Sequence, residues 1–563
     1  MNRGRTAVRL IFVTAAACAA YALILHFTGG FESELFGARI RSRGWERPAY
    51  LSLALFTVAA GLFLRRSPSA PVIWGHLDSV HAGRVLAAVG IAWALFAGVR
   101  FGTFSAGGSD SYGYISQAHL FSRADLTDQV PMRPEFTWRD AELSLIPLAY
   151  RPAAQPGRMA PVTAPGLPLI LAAVRPLGER AMYLMIPMFG ALAVFCTMAI
   201  GRLLGDPLAG GIAALLLSVS ATFLLMNFSP MSDVPVTALW LAALVVANAR
   251  TKRAPLLAGL FTGAAVLTRP NLAPLAVAIA ALVAAHNTGR MRSVATFLAP
   301  VAAAVVTLLW IQSQRYGGAL QSGYGAAGEL FALAHAGPNL LSYAARMTSV
   351  FTLVIWLSLA SPVLLWRSSP RPLLLGCLAI VVGIWMAYLV YLPFAPWFFT
   401  RFLLPAIPIM LTLAVMVVLV TIRRLPFWMR PVAVAVFVAV MLAALAGQSR
   451  RLGVFDSKSI EQKYPEAGAY VRQHLPASAY VLARQHSGSV RLYGERPTIR
   501  WDVIGGDQLD LVVATLRSIG ATVYVVADDD EMPEFATHFD GQITTRRLSP
   551  LAQFGQARVY AVE

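Results

Sequence analysis

Three ionisable residues lie at the ends of apolar segments, where a membrane helix rarely carries charge: Asp110, Asp233 and Arg269. An ionisable group at membrane depth costs free energy, so residues of this kind mark functional sites by default. Two carboxylates beside a guanidinium suit a site that takes a proton from one group and binds an anion. They form one site only if the intervening segments return all three to the same face of the bilayer.

Each of these residues also has a purely structural explanation. Asp110 is expected in the first turn of a helix capped by Ser109, where the helix dipole favours a carboxylate. Asp233 precedes a proline-containing helix start, and Arg269 would suit a helix C-terminus. Arg401 is a second arginine of this type, and the aromatic residues around it are typical either of interface anchors or of a surface that stacks on a sugar.

The composition is that of a membrane protein. Hydrophobic residues make up 57% of the chain and charged residues 13%, against about 25% charged in soluble domains. The net charge of +18 comes from short arginine clusters between apolar runs, the positive-inside pattern, and we exclude nucleic acid as a partner. Cys18, Cys196 and Cys377 each lie in an apolar run, which predicts packing roles rather than a disulfide or a metal site.

The apolar segments predict about thirteen transmembrane helices, the first of them uncleaved. A cytoplasmic N-terminus then places the arginine clusters inside and the C-terminal part outside. The 255–269 and 271–286 pair, split at Arg269-Pro270, is also compatible with one broken helix. The predicted spans are 8–27, 48–64, 84–104, 181–203, 208–227, 232–249, 255–269, 271–286, 293–312, 344–366, 372–393, 402–422 and 427–447.

Residues 1–448 are therefore predicted to form a multi-span transmembrane domain, and residues 449–563 a soluble extracytoplasmic α/β domain. Two long outer loops, about 105–180 and 315–342, interrupt the spans, and loops of this length are usually functional. The first loop predicts two helices, one starting near Asp110 and a short one from Pro165 to Val174. The second is glycine-rich and carries Tyr324.

The segments together resemble the type C glycosyltransferase superfamily. They are most similar to family 39-like bacterial relatives of the protein O-mannosyltransferases and of the lipid A aminoarabinose transferase. The fold expected from this resemblance is a polytopic helical bundle with outer loops and an outer α/β domain. The motifs that carry the resemblance are Asp110-Ser111-Tyr112-Gly113-Tyr114, Pro165-Gly166-Leu167-Pro168, Ser232-Asp233-Val234-Pro235, Leu267-Thr268-Arg269-Pro270 and Arg401-Phe402-Leu403-Leu404-Pro405.

The resemblance implies a role for each candidate residue. Asp110 would be the catalytic base, Asp233 would line the same cavity, and Arg269 would contact the donor phosphate. Arg401, or else Arg158, would supply a second phosphate contact. Many relatives have an acidic pair where this chain has Asp110-Ser111, so a divalent metal is unsupported and no cofactor is predicted. The substrate-loop residues would be Tyr112, Tyr114 and Tyr324.

The expected function is that of a multi-pass glycosyltransferase of the cell (inner or plasma) membrane, of the hexosyl or pentosyl class. It would move a sugar, with inversion, from a polyprenyl-phosphate donor to an envelope glycan, lipid or protein on the outer face. The alternative is a transporter or lipid flippase, which the scarcity of ionisable residues in the middle of the spans disfavours. A non-catalytic scaffold is a third possibility.

Overall fold

The structure, a computed structural model, describes Thr14, residues 31–35 and 38–42, and residues 79–563 except 287, 288 and 326. The predicted spans 8–27 (apart from Thr14) and 48–64 lie outside the described residues, as does Cys18. The strands Phe31–Leu35 (β1) and Ala38–Ser42 (β2) pair antiparallel.

Helices dominate the chain between residues 79 and 451, and each predicted span from 84–104 onward coincides with a helix or a bent pair of helices. Among the described residues, five helices are long and apolar enough to cross a membrane. The count rises to eight if each bent pair is one span, so the predicted thirteen is not established. The five long helices are Ser79–Phe101, Glu179–Leu203, Arg290–Tyr316, Arg371–Leu389 and Arg430–Arg451.

The remaining apolar helices are bent or short. Three pairs bend by 60°, 112° and 85°: Pro207–Val219 with Ala221–Phe228, Leu333–Phe351 with Leu353–Leu364, and Trp397–Leu403 with Ile407–Ile422. The shorter helices are Asp233–Ala247, Ala254–Thr268 and Pro270–His286, the last opening with a 3-10 turn to Leu275. Arg269 leaves the helical region of backbone space (φ −142°, ψ 89°), so Arg269-Pro270 separates two elements, as predicted.

The bundle packs around central helices that are buried on all sides. Asp233–Ala247 and Ile407–Ile422 bury most of their side chains, whereas Arg430–Arg451 fully buries only a few of its own. Neighbouring helices approach closely through small residues, as membrane helices do when van der Waals packing drives association. At one crossing, a Cβ atom on Gly201 would overlap the backbone of Gly210.

The first outer loop is largely ordered. It contains the helix Asp110–Ser122 and the short helices Ala141–Ser144 and Gly166–Val174. The strands Asp128–Gln129 (β3), Tyr150–Pro152 (β4) and Arg158–Pro161 (β5) form an antiparallel sheet in the order β3-β5-β4. Both predicted helices are confirmed. Ser109 precedes the first of them, but its side chain makes no capping hydrogen bond, so the predicted cap was wrong.

The C-terminal part is the predicted α/β unit. Five strands form one mixed sheet in the order β7-β6-β8-β10-β9, with the β7-β6-β8 portion parallel and the rest antiparallel. The strands are Ala479–Leu482 (β6), Thr498–Ile499 (β7), Thr522–Asp528 (β8), Leu548–Phe554 (β9) and Ala557–Val562 (β10). The helices here are Ser457–Glu461, Lys463–His474, Ser487–Tyr493, Leu509–Ser518 and Met532–His538.

The outer loop and the C-terminal sheet share one hydrophobic core. Phe136, Trp138 and Ile146 of the loop are buried with Tyr480 and Trp501 of the C-terminal part. Hydrogen bonds to backbone carbonyls also connect the two parts. The amide of Arg500 donates to the carbonyl of Ser144 at 2.6 Å, and the Arg491 guanidinium donates to the Leu145 carbonyl at 3.0 Å. The predicted division at residues 448 and 449 stays a prediction, and the helix Arg430–Arg451 runs past it.

The acidic run Asp528 to Glu531 is partly buried. The Asp528 carboxylate accepts from Lys463 Nζ at 2.5 Å and contacts His486 Nε2 at 3.0 Å. Glu531 pairs with Arg484 at 3.1 Å. These carboxylates therefore anchor the helices of the C-terminal part to the end of strand β8.

The predicted topology is checked by single cysteines at exposed positions, in a background with Cys18, Cys196 and Cys377 replaced by alanine. Leu320→Cys and Ser518→Cys should react with an impermeant maleimide in intact cells. Thr251→Cys and Ser368→Cys should react only after permeabilisation, since they lie at the opposite ends of the helices. Labelling of Ser518→Cys only after permeabilisation would put the C-terminal part inside and contradict the topology.

A carboxyl group beside the outer loop makes stability depend on pH. Burial raises the pKa of Glu461 from 4.5 to about 7, so between these values the folded protein holds a proton that the unfolded chain has released. Stability should then fall as the pH rises from about 4.5 to 7 and level off above it. The melting temperature of Glu461→Gln should lack this decrease, whereas the exposed control Glu466→Gln should retain it. An unaltered decrease in Glu461→Gln contradicts the assignment.

Candidate functional site

One cavity, at the helix ends from which the two long loops leave, brings the predicted ionisable residues together. It has a volume of about 490 Å³ and opens beneath the second outer loop. Its walls include Asp110, Asp233, Arg269 and Arg401, together with Tyr114 and Tyr324. The expectation that these segment ends share one face of the bundle is met by this geometry.

Each charged residue lies at an element boundary. Asp110 and Asp233 are the first residues of their helices, and Arg269 follows the last residue of Ala254–Thr268. Arg401 lies in the 3-10 turn Trp397–Leu403, before the chain bends by 85° into the next helix. Charged side chains at these boundaries reach the cavity without crossing the apolar middle of the bundle, where their desolvation would cost most.

A close approach of two motifs positions Arg269. Gly166, at the start of the short loop helix, lies so near the backbone of Leu267 and Thr268 that a Cβ atom would overlap it. The Pro-Gly-Leu-Pro segment thus packs directly on the Leu-Thr-Arg-Pro segment, although the two are about a hundred residues apart in the chain. This contact explains why a glycine is needed at position 166.

Asp233 and Arg269 form a buried ion pair. The Asp233 side chain is 0% exposed, and its Oδ1 lies 2.5 Å from Arg269 Nη2. Arg269 also donates to the Ser232 hydroxyl at 3.3 Å and to the Tyr388 hydroxyl at 3.0 Å. Three fixed partners therefore use all three nitrogens of this guanidinium, and they tie Arg269 to two neighbouring helices.

Asp110 and Arg401 form a second ion pair with a different environment. Asp110 Oδ2 lies 2.9 Å from Arg401 Nη2, but the Asp110 side chain is 42% exposed. Arg401 Nη1 contacts only the Met231 sulfur, at 3.3 Å, and its buried Nε has no hydrogen-bond partner among the described residues. Among the described residues, Arg401 thus has fewer oxygen partners than Arg269.

Tyr114 and an aromatic wall complete the site. The Tyr114 hydroxyl donates to Ser232 at 2.8 Å, which links the outer-loop helix to the buried pair. Phe402 stacks on Tyr388 with a centroid distance of 5.0 Å, and both guanidiniums lie against its ring, at 5.6 Å for Arg269 and 5.4 Å for Arg401. The other aromatic residues of this wall are Tyr391, Phe394 and Phe399.

The second outer loop covers the cavity from above. Arg151 donates to the Ser322 carbonyl at 2.9 Å, and the Tyr316 hydroxyl donates to the Pro161 carbonyl. These bonds hold the glycine-rich segment against the first outer loop. Tyr324, on this segment, lines the cavity while half of its surface stays exposed.

Two sequence-predicted residues lie elsewhere. Tyr112 is buried in the core shared by the outer loop and the C-terminal sheet, with its ring 5.8 Å from Tyr150 and in contact with the Gly488 backbone. Arg158 donates to the Thr127 hydroxyl at 2.6 Å and is absent from the cavity walls of the described residues. The helical alternation around Tyr114 is the signal that separates it from Tyr112, which faces the opposite side of that helix.

Sequence reasoning missed several polar wall residues, among them Ser232, Arg315 and Tyr388. Ser232 and Tyr388 matter because they are the fixed partners of Arg269. Arg315 is almost fully buried and donates to the Leu126 carbonyl at 3.1 Å. Tyr388 lies near the end of an apolar run, a position that could have marked it as a candidate site residue. Aromatic residues at such ends are equally typical of interface anchors, so the sequence does not distinguish the two roles. Among the described residues, no group of three His, Cys, Asp or Glu side chains is placed to hold a metal ion.

Comparison with solved structures identifies the architecture. ArnT from Cupriavidus metallidurans bound to undecaprenyl phosphate superposes with a TM-score of 0.52 at 13% sequence identity, covering 84% of this chain and 98% of ArnT. Apo ArnT gives 0.53 at 12% identity, covering 85% and 97%. The chain shares the fold of ArnT. The predicted architecture, a multi-pass helical membrane protein with a C-terminal α/β part, is thereby confirmed. No protein-family model and no curated protein matches the sequence.

The buried pair predicts a specific pattern of stability. Arg269→Gln should lower the melting temperature strongly, because removing one partner of a buried ion pair typically costs about 3–5 kcal/mol. Asp233→Asn together with Arg269→Gln should be less destabilised than the sum of the single changes, since neither partner is then left charged and unpaired. Thermal unfolding in detergent measures this. Asp507→Asn, which breaks an exposed pair with Arg139, is the control, and additive effects would contradict the coupling.

Proposed function

We propose that this protein is an integral-membrane glycosyltransferase that moves a sugar from a polyprenyl-phosphate-linked donor to an acceptor hydroxyl. The observation that carries the proposal is the convergence of two carboxylates and two arginines on one cavity at the helix ends. Such a site can bind an anionic headgroup at the bilayer boundary while the lipid chain remains among the helices.

The cationic side of the cavity suits the donor phosphate. Arg269 and Arg401 both face it, and a guanidinium fork matches phosphate geometry better than an ammonium does. The similarity to ArnT bound to undecaprenyl phosphate supports a lipid phosphate as the ligand. The departing phosphate gains negative charge as the bond to the sugar breaks, and the arginines would stabilise that charge.

The acidic side suits the acceptor. Asp110 is the half-exposed carboxylate of the two, so an acceptor hydroxyl can reach it, whereas Asp233 is buried and bound to Arg269. In the proposed reaction the acceptor oxygen attacks the anomeric carbon and transfers its proton to Asp110. The bond from that carbon to the phosphate oxygen breaks, and its electron pair leaves with the polyprenyl phosphate. Attack opposite the leaving group inverts the anomeric configuration.

The aromatic wall suits a sugar ring. Tyr391, Phe394 and Phe399 lie on the same cavity as the ionisable residues, and aromatic faces pack well against the C–H faces of a pyranose or furanose. Tyr114 and Tyr324 would add hydroxyl contacts from the two outer loops. The sugar is accordingly proposed to be a hexose or a pentose, and the acceptor a glycan, lipid or protein of the cell envelope.

The distribution of arginines along the chain also predicts which side of the membrane the site faces. The site is proposed to face outward with the C-terminal part, because the arginine clusters at the opposite helix ends obey the positive-inside pattern. A membrane-borne donor is needed there, since nucleotide sugars are cytosolic. The transporter or flippase alternative has no observation in its favour, because the cavity acids and arginines lie at helix ends rather than at the midplane.

The catalytic role of Asp110 has a direct test. Asp110→Asn keeps the size of the side chain and its place at the helix start but removes the proton acceptor, so transfer should fall about 10²–10⁴-fold. Transfer from a radiolabelled polyprenyl-phosphate sugar would be measured with purified protein in lipid nanodiscs. The control Asp125→Asn, which alters an exposed acid of the same loop, should keep normal activity. Near-normal transfer by Asp110→Asn would move the role to Asp233.

A further inference from the structure

The two ion pairs of the cavity differ in how firmly each arginine is held. Arg269 has three oxygen partners on fixed elements, one of them the fully buried Asp233. Arg401 has a single oxygen partner, the Asp110 carboxylate, and that carboxylate is 42% exposed. The first pair is therefore a permanent feature of the fold, and the second can be exchanged.

Arg401 is short of hydrogen-bond acceptors. A guanidinium carries five N–H donors. Within the described part of the chain, Arg401 donates to one carboxylate oxygen and to the weakly accepting Met231 sulfur. Its Nε is buried without a hydrogen-bond partner there, although only 12% of the side chain is exposed. Leaving a buried donor unsatisfied costs free energy, which an incoming anion on the cavity side would recover.

Asp110 is the partner that can move. It is the first residue of its helix and faces the cavity, and its exposed side chain needs only a rotamer change to turn away from Arg401. While it is paired, its Oδ2 accepts from the guanidinium, and the carboxylate is turned toward Arg401 rather than toward an acceptor. The proposed base is thus held inactive by the same residue that faces the donor phosphate.

We propose that Arg401 is the primary ligand of the donor phosphate, and that binding of the phosphate releases Asp110 to act as the base. This inference rests on the proposed function. The phosphate oxygens take the Nη and Nε donors of Arg401, and the Asp110 carboxylate turns toward the acceptor position. After transfer, the polyprenyl phosphate departs and Asp110 pairs with Arg401 again. Donor binding therefore precedes productive acceptor binding.

Competition between Asp110 and phosphate predicts how two variants change the affinity for undecaprenyl phosphate. If Asp110 competes with phosphate for Arg401, then Asp110→Asn should bind undecaprenyl phosphate more tightly than the natural protein, although it is inactive in transfer. The expected gain is about two- to five-fold, the range for loss of a competing ion pair with one half-exposed partner. Arg401→Gln should bind at least about tenfold more weakly, because a charged hydrogen-bonding partner of the phosphate is lost.

A double-mutant cycle separates competition from a simple change of charge. Removing any negative charge near the cavity would favour an anion, and that gain would persist when Arg401 is absent. Competition predicts instead that Asp110→Asn gives no gain in the Arg401→Gln background. Dissociation constants would be measured for full-length protein in nanodiscs, with undecaprenyl phosphate as probe and undecaprenol as the uncharged control. Arg401→Met, which is also uncharged and suits the aromatic surroundings, replaces Arg401→Gln if that variant fails to fold.

The outcomes are distinct. Tighter binding by Asp110→Asn that vanishes without the Arg401 guanidinium supports the release of the base. An equal gain in both backgrounds, no gain, or weaker binding by Asp110→Asn overturns it, while measurable binding of undecaprenyl phosphate by the natural protein leaves the proposed function standing. If the natural protein binds undecaprenyl phosphate no better than undecaprenol, the proposed function and this inference fail together.

Discussion

A carboxylate that has no access to water determines much of the structure around the cavity. Asp233 is fully buried, and a buried charge is tolerated only when it is paired and hydrogen-bonded. Arg269 is the cation that pairs with Asp233, and it reaches the carboxylate from the C-terminal end of the helix Ala254–Thr268. The same guanidinium binds Ser232 and Tyr388, and Ser232 accepts from Tyr114 of the outer loop. One charge thus fixes the relative positions of four segments of the chain.

The second pair shows how similar chemistry gives a different result when the environment changes. Asp110 and Arg401 are 291 residues apart in sequence and meet at 2.9 Å, close to the pair of Asp233 and Arg269. Because Asp110 remains half-exposed, its pairing is weaker than that of the buried carboxylate. The Phe402 ring contacts both guanidiniums, so the aromatic wall holds the two cations near each other without neutralising either.

Sequence alone predicted the parts of the fold that depend on local patterns. Charge at the boundary of an apolar run is visible in the sequence, so Asp110, Asp233, Arg269 and Arg401 could be placed on one side before any contact was known. Their pairing could not be predicted, since it depends on packing between distant segments. The same limit applies to Tyr112. Helical spacing places Tyr112 and Tyr114 on opposite sides of their helix, but only the docking of the C-terminal sheet decides which of the two sides faces the cavity.

The core shared by the outer loop and the C-terminal sheet has a consequence for biosynthesis. Phe136 and Trp138 leave the ribosome hundreds of residues before Tyr480 and Trp501, their partners in that core. Contacts of such long sequence separation form late in folding, and apolar surface awaiting its partner is prone to misassociation. Until strand β6 has been synthesised, the loop that carries Asp110 lacks its partners in this core. A nascent chain would therefore have Asp233 and Arg269 before the loop that carries Asp110 is supported, and a complete site would form only once synthesis is nearly complete.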